Sequence, residues 1–127
     1  MTKILFVEDN ADLRQTYAEV IEVLGYDCLL AKNGQDALAI IQSTECDLIL
    51  LDIEMPYMNG YEFMRYIKAD PQRSHLPVAL FTAKDQESLR LELHDVEPNA
   101  ILPKPVDIKQ LRTTLEHLLN SELVKGI

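Results

Sequence analysis

Short, uninterrupted apolar runs recur along the chain. Three of them, at residues 4–7, 48–51 and 78–81, are continuous rather than alternating, which is typical of strands buried on both faces of a sheet. They are predicted to be central parallel strands. Two weaker runs, at residues 28–31 and 100–102, fit the same spacing and are predicted to be a second and a fifth strand.

Between these runs the apolar positions change to helical spacing. The stripes are, in chain order, Leu13, Tyr17, Val20, Ile21 and Leu24; Ala37, Leu38 and Ile41; Phe63, Met64 and Ile67; Leu89, Leu93 and Val96; and Ile108, Leu111, Leu115 and Leu118. Residues that can cap or stop these helices are Gly25, Asn33, Pro71 and Asp107. Strand and helix are therefore expected to alternate five times.

This alternation predicts an α/β fold. Successive parallel strands need crossover connections, and the helices in those connections cover both faces of the sheet. We therefore expect a three-layer sandwich with a five-stranded parallel sheet between two layers of helices. In such sheets the polar groups that bind ligands gather beyond the carboxyl ends of the strands.

Size and charge narrow the functional classes. The chain has 127 residues, 47% of them hydrophobic, so we expect one domain with one ordinary core. Its net charge of −9 repels phosphate backbones and anionic lipid surfaces, so neither nucleic acid nor membrane is expected as a direct partner. There is no charged-then-apolar leader, and no apolar run approaches the roughly 18 residues of a membrane span. We expect a cytoplasmic protein.

The cysteines and histidines do not form the pattern of a metal site. Cys28 and Cys46 lack CxxC spacing and are predicted to be reduced core residues. His75, His94 and His117 are widely separated and have no nearby cysteine or i, i+4 partner, so zinc has little support. The three histidines are predicted to lie on the surface.

Polar residues follow four of the predicted strands. They are Glu8 and Asp9 after the first, Asp52 after the third, Thr82 after the fourth and Lys104 near the fifth. Three carboxylates about 5 Å apart repel by roughly 3 kcal/mol per pair at an effective dielectric near 20, so a cation is required. Oxygen ligands suit Mg²⁺, and one ammonium can offset part of the remaining charge.

This set of side chains predicts acyl-phosphate chemistry. A carboxylate beside Mg²⁺ can attack phosphorus while the metal, an ammonium and a hydroxyl stabilise the transferred oxygens. The chain has neither a GxxxxGK[ST] loop for a nucleotide nor a GxSxG elbow for acyl transfer. The donor must therefore bring the phosphoryl group.

The chain also resembles the receiver domains of two-component response regulators. The resemblance is carried by the segments 4–10 (ILFVEDN), 47–56 (DLILLDIEMP), Asn59-Gly60, Thr82-Ala83 and Lys104-Pro105, and it spans nearly the whole chain. It implies a flavodoxin-like (βα)5 fold and a stand-alone, chemotaxis-regulator-like receiver. The receiver domain is expected at residues 1–122, followed by a tail at 123–127.

The resemblance implies a role for each site residue. Asp52 would accept a phosphoryl group from a phosphohistidine on a sensor histidine kinase or a histidine phosphotransfer protein, in a Mg²⁺-dependent reaction. The metal would be held by Asp9, by Asp52, by Glu8 through a bound water and by the main-chain carbonyl of Glu54. Thr82 and Lys104 would contact the phosphoryl oxygens, beside Ala83, which leaves room for them, and a cis bond is expected between Lys104 and Pro105.

The implied output is a switched binding surface. It would lie on the last two helices and the strand between them and contact a downstream target protein; a homodimer stays open. The protein would be a regulatory phosphoacceptor that promotes its own phosphorylation and dephosphorylation, not an enzyme.

Two positions bear on how the switch works. Ile101 stands where the family usually has Tyr or Phe, three residues before the lysine, so the usual coupling between threonine and aromatic ring is in doubt. It is either a plain apolar strand residue or part of an altered output surface. We also hypothesise that Glu54 and Lys84 form an ion pair that borders the approach to the phosphoryl group.

Three other functions stay open at this stage. A receiver-like module that no longer uses phosphate is favoured by Ile101 and disfavoured by the intact acids, hydroxyl and lysine. An aspartyl-phosphate phosphatase also uses an Asp nucleophile after a strand, but Glu54 stands where that class has a second Asp. A flavodoxin-like electron carrier lacks a phosphate-binding loop before a helix.

Overall fold

In the part of the chain that the structure describes, five strands alternate with five helices, as the apolar pattern predicts. The computed structural model describes residues 1–54, 60–93 and 96–125. The strands are β1 (Lys3–Val7), β2 (Asp27–Ala31), β3 (Leu48–Leu51), β4 (Val78–Thr82) and β5 (Ala100–Pro103). The helices are α1 (Ala11–Val23), α2 (Gly34–Ser43), α3 (Gly60–Ala69), α4 (Gln86–Glu92) and α5 (Ile108–Lys125).

The strands form one sheet in the order β2-β1-β3-β4-β5, and every pairing is parallel. This is the flavodoxin-like order, in which the direction of winding reverses between β1 and β3. The carboxyl ends of β1 and β3 therefore border the crevice where such sheets bind ligands. The expected α/β sandwich is confirmed.

Two cores cover the two faces of the sheet, because neighbouring side chains of a strand point to opposite faces. On the face that we call the α1–α5 side, Phe6 and Phe81 pack against residues of α1 and α5, such as Ile21 and Leu111. On the α2–α4 side, residues such as Leu80 pack against α2, α3 and α4. The continuous apolar runs of β1, β3 and β4 are buried on both sides.

Three of the predicted caps lie at helix ends: Asn33 before α2, Asp107 before α5 and Gly25 after α1. Asn33 accepts a hydrogen bond from the Asp36 amide at 2.8 Å, and Asp107 accepts one from the Gln110 amide at 2.7 Å. Gly25 has a φ of +103°, the left-handed conformation that favours glycine after a helix.

Helix α4 is shorter than its apolar spacing predicts. It ends at Glu92, and Leu93 is the C-cap residue, with φ −101° and ψ 32°. The amide of Leu93 still binds the carbonyl of Leu89 at 2.8 Å, so its side chain stays buried without another helical turn. Val96 lies outside the helix and packs against the α2–α4 core. The prediction that α4 carries all three apolar positions was therefore wrong.

Both cysteines and the two described histidines, His75 and His117, lie away from the carboxyl edge of the sheet. Cys28 and Cys46 are free and partly buried at the edges of the two cores. Burial raises the pKa of Cys28 to about 12 and that of Cys46 to about 11, so both thiols stay protonated at neutral pH. His75 and His117 are exposed as predicted, and His94 lies outside the described residues.

Helix α5 runs to Lys125, past residue 122, where the sequence suggests the start of a tail. The division between domain and tail stays a prediction. Within the described ranges, none of the helices combines the length and the apolarity that crossing a membrane requires.

Candidate functional site

A cleft of about 220 Å³ lies at the carboxyl ends of β1, β3, β4 and β5. The residues that line it are Glu8, Asp9, Asn10, Leu13, Asp52, Glu54, Thr82, Ala83 and Lys104. These residues are far apart in the sequence, but parallel strands bring their carboxyl ends to one edge of the sheet. The structure thus brings together every candidate site residue that the sequence predicts.

Three carboxylates crowd one wall of the cleft. Glu8 is fully buried and Asp52 is only 4% exposed, whereas Asp9 faces solvent. Each offers an oxygen within 4.8 Å of an oxygen from the other two. Within residues 1–54, 60–93 and 96–125, no other three acids, histidines or cysteines meet in this way. At an effective dielectric near 20, each pair repels by roughly 3 kcal/mol.

Lys104 offsets part of this charge. Its Nζ lies 2.5 Å from Glu8 Oε1 and 3.2 Å from Asp52 Oδ2. Partial burial alone would lower the pKa of Lys104, but the hydrogen bond to Glu8 and the charges of both acids outweigh it, so the pKa is raised. The ammonium therefore stays charged between the two carboxylates.

Main-chain contacts fix the loop that carries Glu8 and Asp9. Arg14, one turn into α1, donates from Nη1 to the carbonyl of Glu8 at 2.8 Å and to that of Asp9 at 3.3 Å. The Asn10 amide donates to Glu8 Oε2 at 3.2 Å. The pKa of Asp9 is raised, first because the protein displaces part of the water around its carboxyl group, although the residue as a whole is exposed, and second because Glu8 lies beside it.

Asp52 has both carboxylate oxygens held. Lys104 reaches one, and the Glu54 amide donates to the other, Oδ1, at 3.2 Å. Behind Asp52 the chain packs tightly against Gly60: a Cβ added at Gly60 would lie 2.6 Å from the Asp52 carbonyl oxygen and 2.7 Å from Ile53 Cα. Only glycine allows this approach without a shift of the backbone.

The donor set fits Mg²⁺. All three acidic side chains present oxygen atoms, which are the ligands that Mg²⁺ prefers, and the cluster contains no sulfur or imidazole that would favour zinc. One divalent cation and one lysine would balance the formal charge of three carboxylates. The residues of this site therefore suit a magnesium ion.

The hypothesis of a Glu54–Lys84 pair was wrong. Lys84 instead binds Glu92 of α4 with both carboxylate oxygens, at 2.6 and 2.8 Å, and its Nζ lies 5.8 Å from the centre of the Tyr61 ring. A bidentate acid beside an aromatic ring offers the ammonium two favourable contacts at once. Lys84 is thereby held against α4 and away from the cleft wall that Glu54 forms.

The structure describes the Lys104–Pro105 bond and Ile101, but not three motif residues between Asp52 and Gly60. The Lys104–Pro105 bond is cis, as the resemblance implies. Ile101 is half-buried and packs against the α2–α4 core, but its effect on switching stays a prediction. Met55, Pro56 and Asn59 lie outside the described residues.

Three contacts of the site were not predicted from the sequence. Arg14 binds the acidic loop, the Phe81 ring lies 5.0 Å from Lys104 Nζ, and Tyr17 binds the connection after Lys104. Tyr17 and Phe81 fit the apolar pattern. That pattern predicts that a side chain is buried, but not which group its hydroxyl or ring contacts. Arg14 stands on a helix whose charged positions otherwise indicate only exposure.

A larger cleft, of about 310 Å³, lies at the opposite edge of the sheet. It is lined by residues before β3 and β4, including Cys46, Asp47, Arg73 and His75. Its protonated thiol and lone imidazole offer no grouped ligands. The smaller cleft, with its three grouped carboxylates, is therefore the candidate site.

A family comparison agrees with this geometry. The model of the response regulator receiver domain matches residues 4–116. The chain belongs to this family. As a receiver domain it takes part in two-component phosphorelay signalling, in which receivers interact with histidine kinases or phosphotransfer proteins and with downstream proteins.

Relatives of this receiver domain differ in length. The phosphate regulon transcriptional regulatory protein PhoB of Pseudomonas aeruginosa is 35% identical over 116 residues, which cover 91% of this chain and 51% of PhoB. This receiver therefore spans about half the length of PhoB. Protein PilH of the same species is 33% identical over 119 residues, which cover 94% of this chain and 98% of PilH.

A solved structure gives a similar receiver with its metal. The receiver domain of the sensor histidine kinase PA1611 from Pseudomonas aeruginosa has a TM-score of 0.87 and 27% identity, covering 94% of this chain and 98% of that one. That structure has a magnesium ion coordinated in the active site cleft.

Proposed function

We propose that Asp52 accepts the phosphoryl group. The observation that carries this proposal is the environment of its carboxylate, which is buried in the cleft, held by Lys104 and the Glu54 amide, and beside Glu8 and Asp9. A carboxylate restrained in this way is presented to a donor in one orientation, which lowers the entropic cost of reaction. The setting that we propose is the cytoplasm.

The transfer is a displacement at phosphorus. A carboxylate oxygen of Asp52 forms a bond to phosphorus as the phosphorus–nitrogen bond of a partner's phosphohistidine breaks. The electron pair of that bond returns to the imidazole nitrogen, which takes up a proton. The product is an aspartyl phosphate on Asp52 and an unmodified histidine on the kinase or phosphotransfer protein.

We propose that Mg²⁺ is held by Asp9, by Asp52, by Glu8 through a bound water and by the main-chain carbonyl of Glu54. When bound, the ion offsets negative charge on the carboxylates and on the phosphoryl oxygens. Arg14 keeps the acidic loop in place by binding its two carbonyls.

Thr82 and Lys104 are proposed to bind the transferred phosphoryl oxygens. Thr82 is buried, and its Oγ1 accepts a hydrogen bond from the Lys84 amide at 3.1 Å, so its proton can be donated to a phosphoryl oxygen. Lys104 lies 3.2 Å from Asp52 and needs only a small movement to reach the new group. Ala83, on the rim of the cleft, leaves room beside it.

The switch is proposed to act through β4 and β5. Lys104 donates from its amide to the Thr82 carbonyl at 2.8 Å, so the two residues that would bind phosphate are joined by the sheet. A movement of either residue is transmitted to α4, β5 and α5, which we propose as the surface for a downstream protein. The same groups would promote attack by water on the aspartyl phosphate, which returns the carboxylate and releases phosphate.

Intact mass spectrometry tests the acceptor directly. The parent, Asp52→Asn and the control Asp27→Asn, which changes an exposed acid on β2, are incubated with acetyl phosphate, with and without Mg²⁺. We expect one phosphoryl adduct on the parent and on the control, only with Mg²⁺, and none on Asp52→Asn. Amide NMR shifts upon adduct formation should extend into α4, β5 and α5.

Three results would contradict this function. An adduct that persists in Asp52→Asn would place the acceptor elsewhere. Rapid release of phosphate over many turnovers would favour a phosphatase, whereas a folded parent that binds Mg²⁺ but gains no adduct would favour a module that does not use phosphate.

A further inference from the structure

Tyr17 of α1 binds the connection that follows Lys104. Its hydroxyl donates to the Val106 carbonyl oxygen at 3.0 Å and accepts from the Val106 amide at 3.2 Å. Both groups belong to the same residue, so a single side chain fixes that point of the β5–α5 connection through its N–H and its C=O. The two residues are 89 positions apart in the sequence.

The ring of Tyr17 is also linked to Lys104 indirectly, through the ring of Phe81. It packs edge-to-face against Phe81, with centroids 4.7 Å apart and planes inclined by 74°. Phe81 is fully buried, and its ring centre lies 5.0 Å from Lys104 Nζ. Tyr17 therefore supports both the main chain after the lysine and the ring beside its ammonium.

The segment 104–106 is anchored at both ends. At its start, the Lys104 amide binds the Thr82 carbonyl at 2.8 Å. At its end, Val106 is held by Tyr17 and is 5% exposed in the α1–α5 core. Without the hydroxyl of Tyr17, the second anchor would lose both of its hydrogen bonds to α1.

We propose that Tyr17 is a positioning residue for Lys104. It touches none of the reacting groups, but it holds the connection so that Nζ stays 2.5 Å from Glu8 and 3.2 Å from Asp52, where an incoming phosphoryl group meets it. This inference rests on the proposed function of Asp52. Small displacements of a group that contacts the transferred atoms are costly for the rate, even when the fold is unchanged.

Tyr17→Phe tests the proposal because it keeps the ring and removes only the hydroxyl. Its matched control is Tyr66→Phe, on the exposed surface of α3. With acetyl phosphate and Mg²⁺, we expect the phosphorylation rate to fall about fivefold in Tyr17→Phe and to stay unchanged in Tyr66→Phe.

A double-mutant cycle separates positioning from a loss of stability. In a Lys104→Gln background, the effect of Tyr17→Phe on the rate should disappear, because the side chain through which it acts is gone. An unchanged fivefold loss in that background would overturn the proposal, as would a parent-like rate in Tyr17→Phe alone.

NMR gives a readout that does not depend on phosphorylation. The ammonium protons of Lys104 should exchange with water faster in Tyr17→Phe than in the parent or in Tyr66→Phe. Unchanged exchange would refute positioning even if Asp52 proves to be the acceptor. Conversely, a parent that gains no adduct contradicts the proposed function, while the exchange measurement still decides the role of Tyr17.

Discussion

Two lysines of this receiver have the same kinds of neighbour, an acid and an aromatic ring, but those neighbours differ in burial. Lys104 binds Glu8 and Asp52 and has the Phe81 ring beside it, and Lys84 binds Glu92 and has the Tyr61 ring beside it. The difference lies in the acids: the Glu8 side chain is 1% exposed, whereas that of Glu92 is 41% exposed.

This difference changes what each ion pair can do. Water screens the Lys84 pair, so it ties α4 to the preceding loop only weakly. Around Lys104, water is largely excluded and each charge depends on its neighbours, which is the environment in which a phosphoryl group or Mg²⁺ alters the balance most. Burial of the acid, more than the identity of the lysine, distinguishes the site from the surface.

Among substitutions of the two lysines and their neighbours, the largest effect is expected from Lys104→Met compared with Lys84→Met. Removing Lys104 leaves buried carboxylates unpaired, so we expect unfolding to become easier by roughly 3 kcal/mol without metal, and Mg²⁺ to restore much of that loss. Lys84→Met should change stability little, and Mg²⁺ should stabilise it only as much as it stabilises the parent. Urea denaturation in EDTA and in Mg²⁺ measures both; equal responses of the two variants would remove the distinction.

A smaller effect is expected from the ring beside Lys104. Phe81→Leu removes the contacts to Lys104 and Tyr17 and should cost about 1–3 kcal/mol of stability, with about fivefold slower phosphorylation by acetyl phosphate. Leu80→Ala, at the next position on the other face of the sheet, should cost about 2–5 kcal/mol but leave that rate unchanged.

The prediction is tested by comparing stability and phosphorylation rate in Phe81→Leu and Leu80→Ala. Denaturation midpoints give the stabilities, and phosphorylation rates are compared under conditions where circular dichroism shows both variants folded. Leu80→Val replaces Leu80→Ala if the latter does not fold. A rate that simply follows stability in both variants would argue against a special role of the ring.

The smallest effect is expected from Glu92→Gln. The hydrogen bonds from the Lys84 ammonium lower the pKa of Glu92. A lowered pKa means that this acid contributes stability above the ordinary pKa of glutamate and loses it as the pH falls through the lowered value. The urea midpoint of Glu92→Gln should lie slightly below that of the parent at pH 7.

This small difference should vanish in acid. A control, Glu116→Gln on the exposed surface of α5, should have the urea midpoint of the parent at pH 7. A gap for Glu92→Gln that persists at low pH would mean that the charge of Glu92 is not its cause.

Sequence patterns predicted the framework better than the contacts. Continuous apolar runs located β1, β3 and β4 because burial on both faces leaves few alternatives for residues such as Ile49 and Leu80. The spacing of two weaker runs located the edge strands β2 and β5. Polar residues after the strands predicted which side chains line the candidate cleft, because parallel strands bring their carboxyl ends to one edge of the sheet. Lys84 was assigned the wrong partner because Glu54 and Lys84 each lie two residues after a predicted site residue. Glu92 becomes a neighbour of Lys84 only once α4 has folded back.

Other details depend on packing that no periodicity encodes. Tyr17 occupies an apolar position of α1, and nothing in that spacing indicates that its hydroxyl meets Val106. The end of α4 at Glu92 could not be read from Leu89, Leu93 and Val96, since Leu93 and Val96 contact the α2–α4 core without being part of the helix.

The tight contact behind Asp52 has a consequence for genetic screens. Any side chain at Gly60 would press on the carbonyl of Asp52 and on Ile53. In a saturation library, substitutions at position 60 should therefore be recovered among the loss-of-signalling alleles, although this residue has no group that can bind metal or phosphate. Sorting such alleles by phenotype alone would count a steric neighbour as part of the chemistry, so a fold assay should accompany the screen.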